Sequence, residues 1–86
     1  MRKLLNTLFV TSENAYLSLD GENVVASRDG QEAARYPLHM LSGILSFSYA
    51  GASPALMGAC AKRGVSLAFC TPGGRFLARV GGEGGG

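Results

Sequence analysis

The sequence has few of the residues on which many enzyme and metal sites depend. It contains no tryptophan, one histidine and two cysteines among 86 residues, and only 16% of the residues are charged. A histidine-dependent mechanism would rest on His39, for which a packing role at the start of a strand is favoured over a role as general base or ligand. Cys60 and Cys70 lie in apolar stretches, which favours buried free thiols over a disulfide or a redox pair.

Long apolar runs and a strong charge imbalance are also lacking. No stretch approaches the roughly 18 consecutive apolar residues that a membrane-spanning helix needs. The basic and apolar start is interrupted at Asn6 and Thr7, and no small-x-small cleavage site follows, so a secretory signal is not predicted. The sequence therefore predicts a cytoplasmic protein. The formal net charge of +2 is too small to indicate nucleic-acid binding by itself.

The pattern of acidic and nucleophilic residues predicts no catalytic residue and no metal site in this chain. Five of the six acidic residues lie in turns, loops and the glycine-rich end, and none is embedded in an apolar helix, whereas a two-metal nuclease needs carboxylates that converge. No serine or cysteine has a recognisable base and orienting group beside it. Gly73 and Gly74 fit a turn rather than a phosphate-binding loop.

Four basic residues near the carboxyl-terminal hairpin are the candidates for contacts with DNA. Such contacts would involve phosphates, would be independent of sequence and would weaken with salt. The alternative for each residue is a solvated position on a strand or helix. The candidates are Lys62, Arg63, Arg75 and Arg79.

What the sequence has in plenty is short apolar segments separated by turns. Residues 4–10 predict a first strand, and apolar residues alternate over 15–19. Asp20-Gly21 and Asp29-Gly30 are hairpin signals, and two in succession predict an antiparallel meander. Residues 44–49 predict a further strand, which carries no charge. If that strand lies at a sheet edge, it favours self-association.

The segment from Ser48 to Val80 organises the rest of the chain. Ser53 and Pro54 predict a helix start, and Gly64 predicts its end. Residues 65–70 then predict a strand covered on both faces, and residues 71–74 a type II turn. Residues 75–80 alternate, with Arg75 and Arg79 on one face. Leu56 and Leu67 are predicted core residues, and Arg75 is predicted to be exposed.

Together these elements predict a mainly β fold, a small antiparallel β-sandwich-like domain of about seven strands with one short helix at about residues 54–63. Residues 1–80 form the predicted domain. Residues 81–86 have the composition of a flexible glycine-rich tail.

An ordered series of short motifs runs through residues 1–80: L-N-T-L-F-V-T, D-G-E-N-V-V, P-L-H, S-Y-A-G-A-S-P-A-L-M and F-C-T-P-x-G-R-F-L-A-R-V. This series resembles the amino-terminal β-domain of the CRISPR-associated integrase, the endonuclease-like protein that inserts new spacers into CRISPR arrays. The similarity is greatest to members that accompany type I-C-like systems. Two departures stand out: Ser42 occupies a position where an acidic residue is usual, and the glycine tail follows Val80 directly.

The resemblance implies a role that composition and spacing do not reveal. The family's metal-binding Glu, His and acidic residue belong to a larger helical domain, which holds Mg or Mn and joins DNA to the repeat. None of these ligands carries over to this sequence, so the chain alone is predicted to be inactive. The implied role is dimerisation and scaffolding of duplex DNA, as a homodimer beside the small dimeric CRISPR partner protein. The alternative is a free-standing β-module that binds a protein or nucleic acid without catalysis.

Overall fold

The computed structural model describes residues 1–81, which form two β-sheets and one α-helix. The predicted tail lies outside the described residues except for Gly81. A short 3₁₀ turn, Leu38–Met40, connects the two sheets. In chain order the elements are β1 (Arg2–Leu4), β2 (Thr7–Val10), β3 (Tyr16–Asp20), β4 (Asn23–Arg28), β5 (Gln31–Pro37), β6 (Gly43–Ser46), α1 (Pro54–Arg63), β7 (Ser66–Cys70) and β8 (Phe76–Val80).

The three-stranded sheet is the antiparallel meander that the two Asp-Gly pairs predict. Its strand order is β3-β4-β5, and both neighbouring pairs are antiparallel. In the β4–β5 turn, Asp29 and Gly30 both have positive φ, at 52° and 77°. This is the backbone that an Asp-Gly pair favours, because its twist matches that of the flanking strands. In the β3–β4 turn only Gly21 has positive φ, at 60°.

The five-stranded sheet corrects the prediction of an antiparallel arrangement throughout. Its order is β1-β2-β6-β7-β8, and the pairs β2–β6 and β6–β7 are parallel. Parallel neighbours require long crossover connections, and the chain provides two of them. The entire meander lies between β2 and β6, and α1 lies between β6 and β7. The mainly β class with one helix is confirmed.

The first predicted strand is two strands, which raises the total within the described residues from about seven to eight. A turn at Leu5 and Asn6 separates β1 from β2, which pair antiparallel. Leu5 adopts a φ of 54° there, although no glycine marks the position. Asn6 interrupts the apolar run, but with leucine rather than glycine at the left-handed position, residues 4–10 predict one strand instead of two.

The helix has the predicted bounds, Pro54–Arg63. The Ser53 Oγ accepts a hydrogen bond from the Leu56 backbone N–H at 3.2 Å, and so satisfies one of the unpaired donors of the first turn. Gly64 ends the helix with a left-handed φ of 73°. The side chains of Leu56 and Cys60 are fully buried, which fixes the face that α1 turns toward the sheets.

The core lies between the two sheets and α1. Leu8, Ile44 and Leu67 stand side by side on β2, β6 and β7, and all three are buried. Leu56 and Leu67 are therefore core residues, as predicted. Cys60 and Cys70 are buried free thiols, also as predicted. The packing role for His39 is wrong, because His39 is exposed on the 3₁₀ turn while its neighbour Leu38 is buried.

Candidate nucleic-acid and partner surfaces

The structure places Lys62 and Arg63 in the last turn of α1, where both are exposed. Their charge favours the carbonyl end of the helix dipole. Arg63 also forms an ion pair with Glu22, in the turn between β3 and β4. This pair connects the helix to the three-stranded sheet, so Arg63 has an anionic partner within the chain.

Arg75 and Arg79 lie apart along the β7–β8 hairpin. The Arg75 backbone N–H donates to the Thr71 Oγ1 at 3.0 Å, within the turn, whereas Arg79 is paired with Ala68 on β7. Four residues of strand separate the two arginines by about 13 Å. Because β7 leads away from the end of α1, Arg75 is at the far end of the hairpin from Lys62. The structure thus does not gather the four candidates into a single ridge, and DNA contact by them stays a prediction.

The hairpin turn itself differs from the predicted type II turn. The Gly74 N–H donates to the Thr71 carbonyl at 2.8 Å, as a four-residue turn requires. The positive φ is at Gly74, at 98°, rather than at Gly73. The register shifts by one residue next to the turn, so that Cys70 pairs with Phe76 and Leu77 is the extra residue. Such a bulge bends the end of an edge strand.

Arg79 belongs to a row of side chains that crosses the five-stranded sheet on the face away from the core. The aligned residues are Arg2, Phe9, Leu45, Ala68 and Arg79, one from each strand. Phe9, Leu45 and Ala68 are half-buried, and the two arginines are exposed. We call this surface, with Thr7, Gly43 and Ser66 of the next row, the outer face.

Sequence reasoning found Arg79 but not its position in this row. The alternation predicted over residues 75–80 places Arg79 on the face away from the core, and the pairing of Arg79 with Ala68 agrees, although the bulge at Leu77 interrupts the alternation nearer the turn. Arg2 lies at the opposite end of the same row because β2 pairs in parallel with β6, and β6 with β7. These pairs join segments that are far apart in the chain. No local sequence signal identifies that alignment.

A second apolar surface lies beside β8. A groove of about 280 Å³ is lined mainly by Tyr49, Met57, Phe69 and Leu77. Tyr49 and Leu77 are 71% and 50% exposed. Exposed apolar patches of this kind mark interaction surfaces more often than single exposed residues do. We call Tyr49, Met57, Phe69 and Leu77 the β8 patch.

An exposed ion-pair cluster occupies the outer edge of the three-stranded sheet. The Arg35 Nη2 lies 3.0 Å from an Asp20 carboxylate oxygen and 2.6 Å from one of Glu32. The hydrogen bond from Arg35 lowers the pKa of Glu32 below its ordinary value. The cluster joins β5 to the end of β3 and places charge on a sheet edge, which is a common protection against edge-to-edge pairing.

The uncharged strand predicted at residues 44–49 does not lie at the edge of a sheet. The strand predicted at residues 44–49 is β6, which lies in the middle of its sheet between β2 and β7. The free side of β3 is bridged by residues 51–53, with the Leu17 N–H donating to the Gly51 carbonyl at 3.0 Å. Self-association through an uncharged edge at 44–49 is therefore wrong, and any association must use another surface.

The described part of the chain has neither a cluster of metal-ligating side chains nor a membrane-spanning helix. Residues 1–81 contain no group of three or more His, Cys, Asp or Glu side chains that could hold a metal ion. They also contain no helix of the length and hydropathy needed to cross a bilayer. Burial raises the pKa of the Cys60 thiol to about 11, which keeps it protonated at neutral pH.

Comparison with solved structures identifies the fold. One chain of a structure described as a partial Cas6-RT-Cas1–Cas2 complex superposes with a TM-score of 0.77 at 13% identity, over 90% of this chain and 23% of that chain. A casposase bound to its integration product superposes with a TM-score of 0.62 at 13% identity, over 86% of this chain and 23% of that one. The two-sheet domain is thus a fold present in both of these larger proteins.

The sequence comparisons identify the family. The chain belongs to the CRISPR associated protein Cas1 family, whose model matches residues 8–86. It is 51% identical over 80 residues to "CRISPR-associated endonuclease Cas1 1" of Chlorobaculum tepidum and 49% identical over 80 residues to "CRISPR-associated endonuclease Cas1 2" of Rhodospirillum rubrum. Each match covers 93% of this chain and 23% of the relative. The resemblance drawn from the motifs is confirmed, and the free-standing module is not favoured.

Proposed function

We propose that this chain serves as the amino-terminal β-domain of a Cas1-type integrase that acts in spacer acquisition and antiviral defence. The observation that carries the proposal is the 51% identity to a relative named as a CRISPR-associated endonuclease, over 80 residues that include both sheets and α1. The likeness to chains in Cas1–Cas2 complexes supports a place in a similar assembly, beside a small dimeric partner protein.

In this proposal the chain supplies architecture and the chemistry occurs elsewhere. The resemblance implies that Mg or Mn is held by a helical domain, and the described residues bring no three metal-ligating side chains together. Residues 1–81 therefore offer no set of ligands that fits the metal, and no catalytic step is assigned to them. The proposed tasks are dimerisation and the scaffolding of duplex DNA, in the cytoplasm, with Lys62, Arg63, Arg75 and Arg79 as candidate phosphate contacts.

The β8 patch supports self-association as a homodimer. Tyr49 and Leu77 are too exposed to contribute fully to the fold, and burying them against a second copy would remove their apolar surface from water. Light scattering after size exclusion, over a dilution series into the micromolar range, measures this association. We expect a dimer that Leu77→Glu weakens. Leu5→Glu is the matched control, since Leu5 is an exposed leucine in the β1–β2 turn. A monomer of 8.9 kDa at every concentration would contradict the dimer.

A chimera tests the proposed role directly. Residues 1–80 of this chain replace the matching 80 residues of the Chlorobaculum tepidum relative, and spacer integration by the chimera is compared with that of the intact relative. We expect integration to be retained. The control is the same chimera with Leu67→Asp, which disrupts the core of the transferred domain. A chimera that is folded and dimeric but does not integrate spacers would contradict the proposal.

A further inference from the structure

The outer face is an apolar sheet surface that remains partly exposed to water. Its central strands β2, β6 and β7 pair in parallel, within a mixed sheet whose outer pairs β1–β2 and β7–β8 are antiparallel. The other side of these strands packs on the core through Leu8, Ile44 and Leu67. On the outer face, Phe9, Leu45 and Ala68 remain only half-buried among the described residues.

The outer face also has a shape that can receive a side chain. A hollow of about 300 Å³ opens there, with Phe9 and Leu45 as its larger apolar walls. It exists because small residues stand at two of the central positions, Gly43 on β6 and Ala68 on β7. A hollow of this kind suits one inserted leucine-sized or phenylalanine-sized anchor.

The charges on the outer face are of one sign. Arg2 and Arg79 end the central row, and none of the residues that the strand register places on this face is acidic. Four inter-strand spacings separate the two arginine positions by about 19 Å. An α-helix with its side chains is about 10–12 Å across, so a helix can lie between the arginines with acidic side chains directed toward each.

Two other occupants fit less well. A second copy of this face would bring arginine against arginine, since both ends of the row are positive, and like charges in contact are unfavourable. Single-stranded nucleic acid is bound on sheets by exposed aromatic rings that stack on the bases. The central positions here are Gly43, Leu45 and Ala68, Phe9 is only half-exposed, and the one exposed ring that the register places on this face among the described residues, Phe76, lies at the hairpin end, away from the hollow.

We propose that the outer face binds an amphipathic helix of another protein, with an apolar side chain inserted in the hollow beside Gly43 and acidic residues on both sides of its apolar stripe, facing Arg2 and Arg79. Helices commonly cover apolar sheet faces in this way. The interaction is distinct from self-association through the β8 patch and does not depend on the integrase role.

Fluorescence anisotropy with labelled probes tests this inference on the 86-residue chain. The main probe is an 18-residue stapled helical peptide with a leucine stripe flanked by glutamates. The control probes are the same peptide with lysines in place of the glutamates, a scrambled peptide of identical composition, and a 12-nucleotide oligothymidylate. We expect saturable binding of the glutamate peptide, at least tenfold tighter than that of any control probe.

Three variants locate the binding. Arg2→Glu with Arg79→Glu replaces two favourable pairs by two repulsive ones, so we expect about a tenfold loss for the glutamate peptide and a gain for the lysine peptide. Gly43→Val fills the hollow, and a Cβ at Gly43 meets the Ser66 carbonyl oxygen at 3.6 Å, an ordinary contact, so the position has room for a side chain. We expect binding to fall at least tenfold, with circular dichroism checking that the variant is folded. Arg28→Glu, on β4 of the other sheet, is the matched control and should change affinity less than twofold.

Several results would overturn the inference. Equal binding of the glutamate and lysine peptides would remove the role of the arginines. Tighter binding of oligothymidylate, lost in the arginine double variant, would assign the outer face to nucleic acid instead. A folded Gly43→Val protein that binds the glutamate peptide normally would show that no side chain enters the hollow. A dimer that Gly43→Val abolishes would make the outer face a contact between copies of this chain.

Discussion

Leu67→Ala is the substitution that best tests the packing of this domain. Leu67 is fully buried in β7, between Ile44 on β6 and Val80 on β8. Strands on both sides are hydrogen-bonded to β7, and α1 covers the core face, so the surroundings have little freedom to close around a smaller side chain. The expected loss is therefore in the upper half of the usual range for Leu→Ala, about 3–5 kcal/mol.

That loss is large for a domain of this size. An 86-residue chain has a total stability of about 4–13 kcal/mol, so Leu67→Ala removes a major part of it. Urea denaturation followed by circular dichroism measures the change, and with a slope of about 1 kcal/mol per molar the midpoint should fall by about 3–5 M or the protein should be unfolded in buffer.

A matched substitution makes the test specific. Leu77 is 50% exposed on the edge strand β8, so Leu77→Ala should cost about 1 kcal/mol or less. Arg75→Ala, at an exposed turn position, should stay within about 0.5 kcal/mol. A Leu67→Ala protein that is as stable as the Leu77→Ala protein would refute both the packing of β7 and the magnitude derived from it.

Three further predictions concern local geometry and titration. Leu5→Gly should raise the free energy of unfolding by about 0.5–1 kcal/mol, because Leu5 holds a left-handed φ of 54° that glycine adopts freely; an unchanged urea midpoint would contradict this. Ser53→Ala should lower stability by about 1 kcal/mol through loss of the helix cap, and Ser53→Asp should restore most of it in the same assay. The folded-state pKa of Cys60 is about 11 against an ordinary value of 9.0, so the folded protein binds this proton more tightly than the unfolded chain does. Stability should fall as pH rises from about 9 to about 11, and a Cys60→Ala protein with the same pH dependence would show that another group is responsible.

Local sequence signals account for the parts of the fold that were predicted correctly. Ser53, Pro54 and Gly64 each act within one turn of the helix, so the bounds of α1 follow from the residues themselves. The Asp-Gly pairs act in the same way on the meander. In both cases the interacting residues are close in the sequence, and neither depends on where other segments lie.

The features that were missed depend on distant segments or on strain. The parallel pairing of β6 with β2 and β7 follows from packing of the whole domain, and the alternation of apolar residues is the same for parallel and antiparallel neighbours. The β1–β2 turn has a leucine at the position where glycine would have signalled it. The surroundings of the candidate DNA contacts could not be predicted for the same reason. Arg63 pairs with Glu22, and this ion pair joins the helix to a turn of the other sheet.

The placement of the meander between β2 and β6 has a consequence for the order of folding. When Thr7 pairs with Gly43, the whole segment that contains β3, β4 and β5 is closed into a loop. Formation of the five-stranded sheet therefore has a large cost in loop-closure entropy. The hairpins of the meander have low contact order and can form on the microsecond timescale. We expect the meander to form early and to shorten the effective loop that β6 must close. During synthesis on a ribosome, the β1–β2 hairpin would emerge before β6. Strand β2 would then lack its neighbour β6 until residues 43–46 have been synthesised and have left the ribosome.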